Sequence, residues 1–369
     1  MPDGNFTRVT PELSGQQAET RDAIMEWRRQ RKRQVLHLGG GAGTGKTELA
    51  VRVGRELDAQ FASFTGKAAS VLRQRGADNA VTLHSLLYRP PQIAHGDPIW
   101  KRRSRFEFDL VVADECSQID QRLGRDLLAT GAMVLVTGDP GQLPPVSGEP
   151  FFGGTPDLTL TEIHRQAAGS QPLQLATAIR GGARVRPLPF NLDAVVQADI
   201  AICAFNRTRR NLNRMIRQAR GIKGRDPVVG DRIVGLRNNA ASGVYNGSLW
   251  TVAAIERDRK NDLIWHMRVV DDVGTEAEVR AHDDGFFCAK VDQYCQEYNG
   301  LDLFTYGYAL TAHKSQGSEW PRVAVIDETA CPAFALIAGD TPLGEFRRRW
   351  LYTAVTRARS SVTVMRVPR

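Results

Sequence analysis

Cysteine is sparse in this sequence and forms no pattern: Cys116, Cys203, Cys288, Cys295 and Cys331 are odd in number and include no C-x-x-C pair. That excludes the even framework of a disulfide-stapled domain and supplies no zinc or iron–sulfur ligand set, so the thiols read as reduced and partly buried. Long apolar runs are missing as well. No stretch approaches the roughly 18 residues needed to cross a bilayer, and MPDGNFTRVT has neither the basic nor the apolar region of a signal peptide. The expectation is a cytoplasmic chain with no membrane partner. Internal repeats and low-complexity segments are also absent. Acid is the scarcer charge: 41 Asp and Glu against 49 Lys and Arg leave +8, a balance that favours a polyanionic partner without identifying one.

What is present is an ordinary globular composition, 42% hydrophobic and 24% charged, in 369 residues, enough for two domains with a small insertion. The organising stretch is GGAGTGKT, Gly40 to Thr47. It follows the apolar run Val35–Leu38 and precedes a helical pattern over 48–57, which places it where a buried strand turns into a helix. The spacing G-x-x-x-x-G-K-T lets the backbone N–H groups of Gly40, Gly41, Ala42, Gly43, Thr44 and Gly45 wrap phosphates at a helix N-terminus. Lys46 would then reach the β and γ phosphates and Thr47 a magnesium ion. The competing reading, a glycine-rich turn with a chance Lys and Thr, is opposed by the strand before it and the helix after it.

Other strand ends carry chemistry of the same kind. LVVA runs into Asp114 and Glu115, and two acids at the end of a buried strand are costly unless they have a task. Asp114 can hold magnesium and Glu115 can polarise an attacking water. Strand 133–137 leads to Asp139 and Gln142 in a proline-stiffened loop, where Gln142 would meet the γ-phosphate. Upstream, Ser14 caps an amphipathic helix whose first turn holds Gln17; its amide is either solvated or reads an adenine edge. Thr65, Gly66 and Lys67 occupy another strand-to-helix turn, the side of an open α/β sheet where ligands bind. His84, next to leucines, reads by itself as a packed core residue.

Residues 88–106 break this rhythm: prolines and a turn at 95–98, flanked by Ile93, Ile99 and Trp100, read equally as a projecting hairpin or as a surface loop. Lys101, Arg102, Arg103 and Arg105 beside Trp100 and Phe106 look like a single-strand track, whereas Arg28 to Arg33 read as charges on a solvated helix end. A second α/β unit follows Arg165, with a buried strand over 200–205 ending at Asn206 and a basic helix carrying Arg207, Arg209, Arg210, Arg214 and Arg217. From 228 to 293 the texture changes to short alternating strands, a small all-β insertion read as a five-stranded barrel. The α/β pattern then resumes at residue 301.

In order along the chain stand LSGQQ, GGAGTGKT, FTGKAA, TLHSLL, ADECS, GDPGQLPPV, IHRQ, YNGS, TAHKSQGSEW and YTAVTRAR. This ordered set resembles the superfamily 1 DNA helicases, specifically the RecD-like and Dda-like branch. The resemblance runs from about Leu13 to the C-terminus. It implies an α/β fold of two tandem RecA-like P-loop motor domains, the first at 1–87 and 107–162, the second at 163–226 and 301–369. A hairpin insertion at 88–106 and an SH3-like β insertion at 227–300 complete the expected plan. It further implies ATP with magnesium as cofactors, a monomer moving 5′-to-3′ on single-stranded DNA toward duplex junctions, and a single-strand-binding protein as a possible partner. Residue by residue, Gln17 resembles the adenine contact and Glu319 a ribose contact. Lys46, Thr47, Asp114, Glu115 and Gln142 match the phosphate, metal and hydrolytic positions, and Arg165 with Arg357 the two arginines brought by the second domain. Thr65, Lys67, His84, Trp100, Asn206, Thr311, His313 and Lys314 would line the DNA track, which reverses the core reading of His84. The residue at the hairpin tip, Ile99 or Trp100, is left open. Two other classes stay open from the residues alone: a different P-loop enzyme such as a nucleotide kinase or GTPase, and an ATP-driven remodeller or loader that does not separate strands. The pathway served, repair, replication or a mobile element, is not legible.

Overall fold

The computed structural model describes residues 12–368 except 90–91, 95–96, 146–147, 164–168, 240, 289–290, 292–294 and 340. The chain opens with α1 (Gly15–Gln30), β1 (Val35–Gly40), α2 (Lys46–Glu56), β2 (Gln60–Ser63), α3 (Gly66–Gln74), β3 (Val81–Thr82) and α4 (Leu83–Leu87). Next come β4 (Gln92–Ala94), β5 (Asp97–Ile99), β6 (Leu110–Asp114), α5 (Gln121–Leu128), β7 (Met133–Gly138) and β8 (Leu158–Leu160). Strands β3-β2-β6-β7-β1-β8 form one six-stranded sheet whose pairings are all parallel. Their near-continuous apolar runs are what such a sheet requires, because helices cover both faces: every residue of β7 is buried. One face packs Ile24, Trp27, Leu49 and Val53 from α1 and α2; the other packs Leu83, Leu87, Leu123 and Leu127 from α4 and α5.

A second parallel sheet, of order β15-β9-β16-β17, is built from β9 (Ile200–Cys203) and three later strands. Between β8 and β9 lie α6 (Gln171–Arg180) and α7 (Leu192–Gln197), and β9 leads into α8 (Asn206–Ala219). Then β10 (Arg232–Gly235), β11 (Leu249–Arg257), β12 (Ile264–Asp271), β13 (Glu276–His282), α9 (Asp284–Phe287) and β14 (Asp302–Tyr306) intervene. After them come β15 (Ala309–Thr311), α10 (Ala312–Ser315), β16 (Trp320–Asp327), α11 (Leu343–Val355) and β17 (Ala358–Arg366). Trp350 of α11 is fully buried and anchors this lobe's core with Phe334 and Phe346.

Strands β10 to β14 close into a five-stranded barrel around Ile233, Val252, Met267 and Phe304. The barrel ends later than the sequence pattern placed it. LFTY, apolar enough to pass for a strand of the second sheet, is β14, which closes the barrel by pairing with β10. Strand β9 is likewise shorter than the 200–205 run: it ends at Cys203, and Phe205 caps α8. Between β4 and β5 the register pairs Ala94 with Asp97 and Gln92 with Ile99. Asp97 and Pro98 are therefore strand residues, and Ile99 and Trp100 stand at the end of this short ladder opposite to the Ala94–Asp97 pair. Neither is a tip residue.

The lobes interlock at the Gln142 loop. Leu143 is fully buried in the core of the second lobe, its N–H donating to Thr353 Oγ1 (2.9 Å) and its carbonyl accepting from Gln316 Nε2 (3.3 Å).

Candidate functional site

A cleft of about 840 Å³ lies between the lobes, lined by Lys46, Thr47, Asp114, Glu115 and Gln142 from the first and Glu319 and Arg357 from the second. Its floor follows from glycine. Gly43 and Gly45 sit at φ 80° and 79°, a left-handed geometry that other residues adopt at a cost, and Gly45 immediately precedes α2. The loop's own carbonyl at Gly41 holds Lys46 Nζ (2.9 Å) and Thr44 Oγ1 (3.0 Å). Lys46 thus caps its own loop, a bond that an incoming anion can replace. A Cβ on Gly45 would stand 2.5 Å from Gln17 Nε2, so Gln17 lies directly against the loop.

Gln17 is buried, which removes the solvated reading. Its Oε1 accepts from the Ser14 N–H (3.2 Å) while Ser14 Oγ accepts from the Gln17 N–H (3.3 Å). This reciprocal capping box fixes the side chain and leaves its amide N–H₂ end against the loop.

Thr47 Oγ1 donates to Asp114 Oδ2 (3.1 Å), and Asp114 Oδ1 accepts from the Glu115 N–H (3.0 Å) and from Thr137 Oγ1. Asp114 is thereby oriented from α2, from β7 and from the residue that follows it. Glu115 takes φ 58°, unusual for a residue with a side chain, and this turn aims it into the cleft. Burial first, then the neighbouring Asp114 charge, push its carboxyl up to about 7, against the pull of Arg357 and Lys46. Gln142 is buried and its Oε1 has no partner among the described residues. A buried acceptor facing a polar cleft without a partner is costly and fits a ligand that donates or brings bound water.

Arg357 is almost completely buried on the opposite wall. Its guanidinium donates to Thr353 O (3.1 Å), Ser318 O (3.3 Å) and Thr356 Oγ1 (3.1 Å), which hold it at the cleft. Arg165 lies outside the described residues.

Sequence reasoning missed Tyr352, although it stands in the YTAVTRAR segment. Its hydroxyl donates to Asp139 Oδ2 (2.6 Å) and accepts from the Ala42 N–H (3.1 Å), joining α11 of the second lobe to the phosphate loop of the first. Arg180 of α6 approaches the same loop, its Nη1 3.0 Å from where a Gly41 Cβ would be. Both contacts cross from one lobe to the other, so no spacing in the sequence could signal them. Because Asp139 is buried, Tyr352→Phe leaves its carboxylate short of a partner; the expected loss is about 1–3 kcal/mol, read as a lowered thermal midpoint in the nucleotide-free protein.

The remaining sequence candidates meet at helix starts. Thr65, just past β2, and Thr311, at the end of β15, cap the next helix, accepting from Ala68 N–H (3.1 Å) and Lys314 N–H (3.4 Å), and Thr82, at the end of β3, does the same for Ser85 N–H (3.1 Å). Lys67 lines the cleft between the lobes rather than standing apart from it. His84 is packed among the rings of Phe64, Tyr88 and Trp100 at centroid distances of 6.1, 5.8 and 5.3 Å, and burial lowers its pKa. Trp100 therefore braces the base of the β4–β5 ladder. The adjacent Lys101, Arg102, Arg103 and Arg105 are exposed. Arg28, Arg29, Arg31 and Arg33, by contrast, are all ion-paired, as a solvated helix end would be.

In the second lobe Asn206 opens α8, its Oδ1 accepting from Arg209 Nε (3.2 Å). Arg209 is buried, and its Nη1 has no partner among the described residues. Burial, with Arg209 adding repulsion, brings Lys314 down to about 8, and burial brings His313 down to about 4, so His313 is neutral near pH 7. Arg209 is the one addition to the residues expected to line a DNA track; its spacing of three from Asn206 puts the two on one helical face, the signal that could have found it.

An AAA domain family model matches residues 12–193, and a UvrD-like helicase C-terminal domain model matches residues 306–365. The ATP-dependent RecD2 DNA helicase of Deinococcus radiodurans is 29% identical over 395 residues, covering 94% of this chain and 48% of that protein. The conjugal transfer protein TraA of Rhizobium radiobacter is 27% identical over 345 residues, covering 79% and 28%. The chain thus spans less than half the length of these relatives. Its fold is similar to that of Pif1 helicase from Bacteroides in complex with ADP-AlF3 and single-stranded DNA, with a TM-score of 0.61 at 20% identity over 94% of this chain and 91% of that one. Among the described residues no helix is long and apolar enough to cross a membrane.

Proposed function

We propose that this chain, a superfamily 1 RecD/Pif1-like helicase by its motifs, its matched family models and its fold, hydrolyses ATP to move along single-stranded DNA and separate duplex DNA. The observation that carries the reading is the cleft itself: Lys46, Asp114, Glu115 and Gln142 face Glu319 and Arg357 across the boundary between two parallel-sheet lobes. In this reading the lobes are RecA-like motor domains, the closed barrel is the SH3-like insertion and the β4–β5 ladder is the pin.

The residues present fit a magnesium nucleotide. Thr47 and Asp114 offer hard oxygen donors side by side, and such sites need few protein ligands because the phosphates supply the rest. Bound there, the ion would neutralise phosphate charge. The chain's own groups do the remainder. Lys46 leaves the Gly41 carbonyl for the phosphates, Glu115 in its charged form orients and deprotonates the attacking water, and Gln142 senses the terminal phosphate. Arg357, with Arg165 as its proposed companion, stabilises the transferring group from the other lobe. Gln17 and Glu319 would hold base and ribose.

Loss of the terminal phosphate reaches the second lobe by a short route, because Gln142 is followed directly by Leu143, which is seated in that lobe's core. Both lobes grip the strand, the first through the N-termini of α3 and α4, the second through Asn206, Thr311 and Lys314. Cleft opening and closing therefore become stepping. The resemblance supports 5′-to-3′ movement, a monomeric motor and duplex junctions as substrate.

Strand displacement on 5′-tailed and 3′-tailed duplexes tests this directly: displacement of the 5′-tailed substrate alone is expected. ATPase activity stimulated by single strands without displacement of either would favour a remodeller, a reading that the shortness of the ladder keeps in play. Lys314 gives a second check. Its charge is complete below about pH 7 and is lost as the pH rises through about 8. Single-strand affinity should therefore fall between pH 7 and 9, and Lys314→Arg should flatten that fall in an anisotropy titration.

A further inference from the structure

Residues 206–225 hold eight Lys and Arg and no acid, equal to the whole +8 excess of the chain. Arg217 and Arg220 are held against the barrel side. Arg217 is paired with Asp231 (2.9 Å) beneath the Tyr306 ring, and Arg220 lies over Tyr308 at 4.9 Å. Others surround a cavity of about 720 Å³ between α8, the loop after it and the barrel, lined by Arg210, Arg214, Lys223, Arg225, Phe286 and Phe287 and by no acidic residue. Arg225 lies over the Phe287 ring at 5.1 Å, so a cation and an aromatic face stand together in its wall. This cavity is separate from the nucleotide cleft.

We propose that this groove is a second single-strand site, holding the stretch of DNA that runs on from Asn206 along α8 onto the barrel. Three features point to that occupant. Arg207, Arg210 and Arg214 recur at intervals of three and four along the exposed side of a helix about 21 Å long, a spacing that follows a phosphate backbone. The row starts at Asn206, one helical turn from Arg209, whose Nη1 has no partner among the described residues, and so continues the proposed track. Half-buried Phe286 and Phe287 offer ring faces that accept any base, the usual partner of a cationic groove in sequence-neutral single-strand binding. The consequence is a longer grip on the strand: phosphates on α8, bases against the barrel, and the barrel coupled to the moving second lobe. The inference rests on the strand-track reading above.

The test compares the full chain with an Arg214→Ala/Lys223→Ala double variant, both positions exposed, in anisotropy titrations with oligodeoxythymidylates of about 6 and about 16 nucleotides. For the longer oligonucleotide the double variant should bind about 10-fold more weakly near physiological salt, with its log–log salt slope shallower by about 1.4, two phosphate contacts on a single strand. The shorter one, filling only the track between the lobes, should bind both proteins alike. Equal affinities for the longer oligonucleotide, or equal losses at both lengths, would overturn the groove as a distinct site. Poly-glutamate binding lost in the variant with DNA binding unchanged would overturn it in favour of an acidic protein partner. If the unaltered chain bound neither oligonucleotide, the track reading itself would fail.

Discussion

Replacing Arg357 by alanine is expected to lower ATP turnover by about 10³ to 10⁵, or about 4–7 kcal/mol of transition-state stabilisation, while nucleotide binding persists. The expectation comes from where the guanidinium stands. In the proposed reading Lys46, Thr47 and Gln17 would bind the nucleotide from the first lobe, so affinity would not depend on Arg357, which lines the cleft opposite Lys46 and Thr47 and would face the charge developing on the transferred phosphate. The side chain is nearly buried and makes three hydrogen bonds within its own lobe, so alanine also removes structural contacts. Arg357→Lys separates the two effects. It keeps a charge but loses the planar fork, and should fold normally yet recover only part of the rate. Turnover within a few-fold of the unaltered chain in a correctly folded Arg357→Ala protein would remove the arginine from the reaction.

The second large effect belongs to Glu115. Glu115→Gln preserves shape and removes the proposed base; hydrolysis should fall about 10³-fold with the nucleotide still bound. The raised pKa of the free side chain reflects burial beside Asp114 and marks a carboxylate held where its charge is costly, as a base needs to be. In single-turnover experiments the variant should hold unhydrolysed ATP and remain in the closed form. A variant that neither binds nor hydrolyses would assign Glu115 to binding instead.

The sequence is legible where chemistry is local. GGAGTGKT declares itself because glycine spacing, the following Lys and Thr, and the strand-to-helix context all lie within residues 35–57. Asp114 and Glu115 stand out because two acids end an apolar strand. The all-β insertion shows as a change of period. Its end does not, because β14 is as apolar as a strand of the parallel sheet and only its pairing with β10 assigns it to the barrel. Asp97 and Pro98 are strand residues although their types suggest a turn, since a proline fits an edge strand equally well. Tyr352, Arg180 and Leu143 are invisible for another reason: each acts across the lobe boundary, between residues far apart in the chain. His84 shows the converse. Its neighbours in sequence indicate packing, and it is indeed packed, yet it stands in the helix whose capped start faces the proposed track. Packing and recognition are not exclusive there, because the ring cluster sets the rigidity of that wall.

The account depends on nucleotide and strand being read by the same two lobes, and a linkage experiment measures that most directly. Single-strand affinity is titrated with and without a non-hydrolysable ATP analogue, in the unaltered chain and in Arg357→Ala. The analogue should change the affinity of the unaltered chain by about 5- to 150-fold, a coupling of about 1–3 kcal/mol, and should change that of the variant little, although both proteins bind each ligand. The same affinity with and without the analogue in the unaltered chain would contradict the account.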